Sequence, residues 1–182
     1  MKILKKVEFN EVLSQFHAEH DLTRDHHANT NRAAEKILVC ADTELQEWTK
    51  VLVTREDILR VILPWHIGCG GKIHLVPKSG LTVKQVVEKL SQIKDSYAQE
   101  SPVCWNKIVR MSQTQFTPLF LSTQVVTSAP DYAGYKELHI KEGLIHLDGL
   151  HRMISWELNG RLADNLLLEA YIAGDLSSHI DL

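Results

Sequence analysis

The spacing of apolar and polar residues changes period several times along this chain, and each change marks an element. Val83, Val86, Val87, Leu90, Ile93 and Tyr97 recur at three- and four-residue steps, the signature of one helix face over 83–97. Thr82 and Gln85 stand at capping-box spacing at its start, and Ser101-Pro102 terminates it. Val12, Leu13 and Phe16 give the same period after Asn10, which can cap a helix running to about His20. Trp48 to Val53 alternates weakly and is β-rich, so it reads as a strand, and Thr54-Arg55-Glu56-Asp57 opens a helix that Pro64 ends. Lys72 to Val76 is a second strand, and rising β-branched and aromatic content from Phe116 to Val126 suggests one or two more around Pro118. A short strand-like segment leads the chain and the polar run Asp21 to Asn31 is a loop. Asp131 starts a short helix that Gly143 closes.

The last third carries the chemistry. Leu144-Ile145-His146-Leu147-Asp148-Gly149-Leu150-His151-Arg152-Met153-Ile154-Ser155-Trp156 is an apolar run that stops at Asp-Gly and resumes as an apolar-periodic helix. Asn165 to Ile172 then reads as a strand returning to the sheet. A glycine at a strand-to-helix junction allows a sharp turn, or the close approach of a ligand to the backbone. The first helical turn offers N–H groups without intrahelical acceptors and the positive end of a dipole, and both favour an anion. His151 and Arg152 add donors at that turn, and a guanidinium fork matches two phosphate oxygens. Gly149, Leu150, His151 and Arg152 are therefore the candidate phosphate cradle. Asp148 is positioned to hold Mg2+, to orient His151, or to accept a proton.

At these residues the chain resembles the ParB/sulfiredoxin superfamily, whose strand-turn-helix phosphate site carries Gly-x-His-Arg or Asp-Gly-His-His-Arg. Asp148-Gly149-Leu150-His151-Arg152 matches four of the five positions of the second form, which the free-serine kinases carry. The resemblance runs from about Leu144 to Ile172. It implies a ParB/sulfiredoxin-like core segment over 116–182, with 1–115 as an unaligned N-terminal part or insertion. It also implies ATP or ADP with Mg2+, and a glutamate ahead of the motif as general base. Glu19 fits that role in kind but lies 129 residues before Asp148, so Glu19, Glu137 and Asp148 all stand as candidate bases. Sulfiredoxins place their reactive cysteine where this chain has Leu150, which excludes that repair chemistry. ParB proteins append a basic DNA-reading module, whereas only ten residues follow Ile172 here.

Composition narrows the picture further. The chain has 182 residues, 44% of them hydrophobic, with 20 Lys plus Arg against 23 Asp plus Glu. It can bury a sizeable core, and its mixture of helices and strands without repeats or composition shifts points to one α+β domain over 1–182 with a mixed sheet. No basic stripe suggests a nucleic-acid partner, and no apolar run suggests a membrane span or signal peptide. Cys40, Cys69 and Cys104 are widely spaced and form no metal-ligand pair in sequence, so reduced thiols in a cytoplasmic protein are expected.

Two other features compete for attention. Trp65 to Lys72 is glycine-rich, but His66 stands where a Walker A loop needs its first glycine, and Ile73 where it needs Ser or Thr. A turn explains it, although a loop ending in Lys72 could close over a nucleotide; Cys69 with His66 or His74 is a weaker nucleophile idea. His17 and His20 share a helix face with His26 and His27 close behind, but the zincin order is absent and a solvated face explains them. Trp156 is expected to pack behind the motif. The sequence thus leads to a nucleotide-dependent phosphotransferase acting on a small hydroxyl- or amine-bearing metabolite, with Asp148, His151 and Glu19 as catalytic candidates and Asp148 as metal ligand. The alternatives are a non-catalytic nucleotide- or phosphometabolite-binding module and a His-ligated metal-dependent enzyme. Oligomeric state is open.

Overall fold

In the computed structural model, which describes residues 1–20, 30–67, 73–139 and 143–177, the periods of the sequence resolve into three layers. The strands are β1 (Lys2–Val7), β2 (Trp48–Val53), β3 (Ile62–Leu63), β4 (His66–Ile67), β5 (His74–Val76), β6 (Leu81–Thr82), β7 (Leu119–Ser122), β8 (Ile145–Asp148) and β9 (Leu168–Ala173). The helices are α1 (Phe9–Glu19), α2 (Thr30–Leu45), α3 (Arg55–Arg60), α4 (Val83–Glu100), α5 (Pro102–Met111) and α6 (Leu150–Leu158), with a 3-10 turn at Asp131–Ala133. Seven strands form one mixed sheet in the order β1-β2-β9-β7-β8-β3-β6, and β4 and β5 pair as a separate ribbon. β9 runs parallel to β7 and β8 runs parallel to β3, while the remaining neighbours are antiparallel. The protein is a single α+β domain with a mixed sheet.

Pleating divides the core in two, because alternate residues of a strand face opposite sides. Leu119 and Leu121 of β7, with Leu168, Ala170 and Ile172 of β9, join the apolar cluster under α4, α5 and α6. Phe120, Tyr171 and Ala173, the residues between them, join the cluster under α1 and α2. In β8, Ile145 and Leu147 belong to the α1–α2 side and the pleat turns His146 toward the α4–α6 side, while a register shift opposite Phe120 interrupts the alternation before Asp148.

β2 and the capping box of α4, Thr82 with Gln85, form as the sequence predicts. Three expectations change. Helix α1 begins at Phe9, with Glu8 rather than Asn10 at the N-cap position and no side-chain cap, and Phe9 stacks on Trp48 with ring centroids 5.9 Å apart. α2 follows the predicted polar loop, burying Ile37, Leu38 and Ala41. Pro102 begins a helix instead of only ending one, since a proline at the first helical position needs no N–H partner. The Phe116 to Val126 region, read as one or two strands, holds one, β7. His26, His27, Asn29, the Asn31 side chain and the glycine-rich segment with Cys69 and Lys72 lie outside the described residues. Among the described residues no helix is long and apolar enough to cross a membrane.

Candidate functional site

The site is built at the end of β8, where the chain leaves the sheet and enters α6. Gly149 makes the turn at φ 114°, ψ 11°, a backbone conformation that side-chain-bearing residues rarely adopt. A Cβ there would lie 2.7 Å from Leu119 Cδ2 and 3.3 Å from Arg152 Nη2, so neighbouring side chains already fill the space a close ligand would need. The turn and its packing require the glycine. No side chain caps α6, and its first backbone bond runs from the Met153 N–H to the Gly149 carbonyl at 3.0 Å. The N–H groups of Leu150, His151 and Arg152 therefore precede the helical ladder, as an anion-binding helix start requires. The Leu150 side chain is buried in the core beneath α6.

Asp148 and Arg152, four apart, meet across this turn. Arg152 Nη2 donates to Asp148 Oδ2 at 2.6 Å. Its Nη1 donates to Glu19 Oε2 at 2.7 Å and to the Thr117 hydroxyl. Glu19 is the last residue of α1, so the fold closes the 129-residue gap and places this candidate base beside the motif. Its other oxygen accepts from Gln15 Nε2 at 3.0 Å. His20 approaches Asp148 Oδ2 at 3.4 Å through Nε2, and its Nδ1 lies 2.9 Å from the Phe16 carbonyl. Burial alone would lower the His20 pKa, but the Asp148 carboxylate outweighs it and raises the group above its ordinary value. Burial likewise opposes ionisation of Asp148, yet Arg152 and His20 together hold its carboxyl well below the usual range. Asp148 is thus a carboxylate, and its Oδ1 takes no hydrogen bond among the described residues.

A second cluster lies on the other side of the α6 start. His151 packs edge-on against His66 of β4, ring centroids 5.0 Å apart, and Cys104 Sγ of α5 lies 3.5 Å from His66 Nε2. One ligating atom from each of His66, Cys104 and His151 fits within 4.8 Å of the others. Ser155, one turn after His151, donates to the carbonyl of Ile108, one turn after Cys104, at 2.6 Å. That buried bond fixes α6 against α5 and so fixes the two side chains beside each other. His146 stands nearby with both ring nitrogens buried and without partners, and His151 Nε2 is buried and unpartnered among the described residues. Burial, with Lys107 adding repulsion, pushes His66 down to about 4, and burial pushes His146 down to about 4. Burial, with repulsion from His66 and Lys107, holds His151 well below its ordinary pKa.

The residues singled out from sequence separate accordingly. Asp148, Arg152 and Glu19 converge. His151 sits on the same turn, where burial holds its pKa well below the ordinary value. Glu137 pairs with Lys78 at 2.7 Å on the surface, away from the turn. His17 pairs with Glu35 at 3.2 Å and His20 with Asp148, so these two do not share a ligand. Trp156 is fully buried, edge-on to Phe116. The sequence reading gave no role to Thr117, Lys107 and His146, and took Cys104 as a plain reduced thiol. His66 appeared there as a break in a Walker A pattern and as a possible partner of Cys69.

Residues 1–181 match the family described as a family of unknown function, DUF6309, and the chain belongs to that family. No curated protein and no solved structure matches it.

Proposed function

We propose that this protein is a nucleotide-dependent phosphotransferase that uses ATP or ADP with Mg2+ and acts on a small hydroxyl- or amine-bearing metabolite. The convergence of Glu19 with Asp148 and Arg152 at the uncapped start of α6 carries the reading. It supplies within one turn the parts that phosphoryl transfer requires: N–H donors and a guanidinium for phosphate oxygens, a carboxylate for the metal, and a carboxylate for the acceptor proton. Mg2+ would neutralise phosphate charge, and Asp148 suits it as a hard oxygen ligand whose Oδ1 has no partner among the described residues. Arg152 spends three of its five N–H donors on Glu19, Thr117 and Asp148. The Nε donor and one Nη2 donor remain for phosphate. In the transfer, the acceptor oxygen or nitrogen bonds to the terminal phosphorus as the bond to the leaving nucleotide breaks, and Glu19 takes the acceptor's proton.

A non-catalytic nucleotide-binding module is the second reading. It is favoured by one observation: both Glu19 oxygens already accept hydrogen bonds, from Gln15 and Arg152. Titration calorimetry with ATP and ADP in Mg2+, followed by a phosphate-transfer assay against amino acids and small alcohols, separates the two. Transfer is expected, with Glu19→Gln lowering turnover on the order of 10²- to 10⁴-fold and changing nucleotide affinity little. Binding without transfer selects the module, and absence of any nucleotide binding removes both readings.

A further inference from the structure

We propose that His66, Cys104 and His151 supply three protein ligands to a transition-metal site of the zinc class. This goes beyond the phosphotransferase reading and stands whether or not a nucleotide binds.

Three separate elements, β4, α5 and α6, each deliver one donor to a set that fits within 4.8 Å. A tetrahedral zinc ion with Zn–S of about 2.3 Å and Zn–N of about 2.0 Å sets sulfur and nitrogen roughly 3.5 Å apart. Cys104 Sγ and His66 Nε2 are 3.5 Å apart. A thiol–imidazole hydrogen bond accounts for that pair equally well, but it does nothing for His151, whose Nε2 is buried without a partner among the described residues. A metal ion accounts for all three. The Ser155–Ile108 bond makes Cys104 and His151 neighbours by construction.

The donor chemistry selects the ion. Two imidazoles and a thiol are soft to borderline ligands that suit zinc and its neighbours and poorly suit Mg2+ or Ca2+. The described residues supply three of the four ligands that zinc takes. Lys107 interacts repulsively with His66 and His151 and works against a cation here. Coordination offsets that by removing the Cys104 proton to solvent, leaving a thiolate on the metal. His146, coupled electrostatically to both imidazoles, places a further buried ring beside them.

The test uses the full chain stripped of metal by chelator, titrated with Zn2+ against a competing chromophoric chelator and, separately, with Co2+. One ion per chain is expected, with a thiolate-to-cobalt charge-transfer band and the intense visible bands of four-coordinate cobalt. Cys104→Ser should abolish the charge-transfer band. It should also weaken zinc on the order of 100-fold or more, as should His66→Ala and His151→Ala, while His17→Ala leaves binding unchanged. Circular dichroism establishes that each variant is folded, and the wild-type cobalt spectrum reports the thiolate should a variant fail to fold. Absence of stoichiometric binding by the wild type overturns the proposal, as does a cobalt spectrum without the thiolate band. Zinc binding that survives both Cys104→Ser and His66→Ala overturns it as well.

Discussion

Arg152 lies between two carboxylates, Glu19 and Asp148, with side-chain exposures of 10%, 7% and 19% respectively, so little water is present to screen any of the three. Removing the guanidinium leaves two largely buried carboxylates, with His20 beside Asp148 and the neutral Gln15 amide on Glu19. Breaking a buried ion pair from one side costs about 3–5 kcal/mol, well above the value of a surface pair. Arg152→Met is therefore expected to lower unfolding stability by that amount, read from the urea midpoint at unchanged slope. A loss under about 1 kcal/mol would mean that water screens the triad after all. The sequence alone suggests a different experiment, Arg152→Ala as a probe of chemistry in an intact fold. The geometry rules that out, because a loss of activity in that variant would mix transition-state and stability effects. Glu19→Gln keeps its shape and a hydrogen-bond acceptor for Arg152, and so probes the proton acceptor with less disturbance.

At the scale of elements, α2 shows how a helix invisible in sequence is held. Near its end Glu44 accepts four hydrogen bonds, from the backbone N–H and hydroxyl of Thr127 and of Ser128, at 2.8–3.0 Å. Burial works against ionisation of Glu44, but the four donors together outweigh it and bring its pKa from 4.5 down to about 2. A depressed carboxylate contributes stability above its unfolded pKa and loses it as pH falls through the folded value. Glu44→Gln should thus cost about 1 kcal/mol at neutral pH, a figure kept small because the group is largely solvated. The difference from wild type should vanish between pH 4.5 and about 2 in urea titrations. An equal cost at both ends of that range would show that the charge contributes nothing. β2 and α4 were legible because their periods are strong and their ends carry cap or strand signals. α2 was not, since Ala33, Ala34 and Ala41 supply much of its apolar stripe and a polar run hides its start. α5 was missed because Ser101-Pro102 signals an end and a beginning alike. The strand-turn-helix at Gly149 was legible because it is contiguous. The His66–Cys104–His151 cluster was not, because its members meet only once β4, α5 and α6 have packed.

For the whole molecule, the position of the site matters more than its composition. α1 and α2 cover one face of the sheet and α4 to α6 the other, and Arg152 reaches from the second layer round the end of β8 to Glu19 on the first. A ligand whose phosphates rest on the α6 start and whose acceptor faces Glu19 must therefore contact both layers at once. Ligand bound only to the native state stabilises whatever local openings it blocks, so its footprint is readable in amide exchange. Mg-ATP at saturation should slow exchange both in the last turn of α1, over Phe16 to Glu19, and in the first turn of α6, over Leu150 to Met153. Strand β1, at the far edge of the sheet, should exchange as before, which separates local contact from general stabilisation. Slowing confined to α6 would leave the phosphate cradle standing and detach Glu19 from it. The transfer reading would then lose its base, and the module reading would remain.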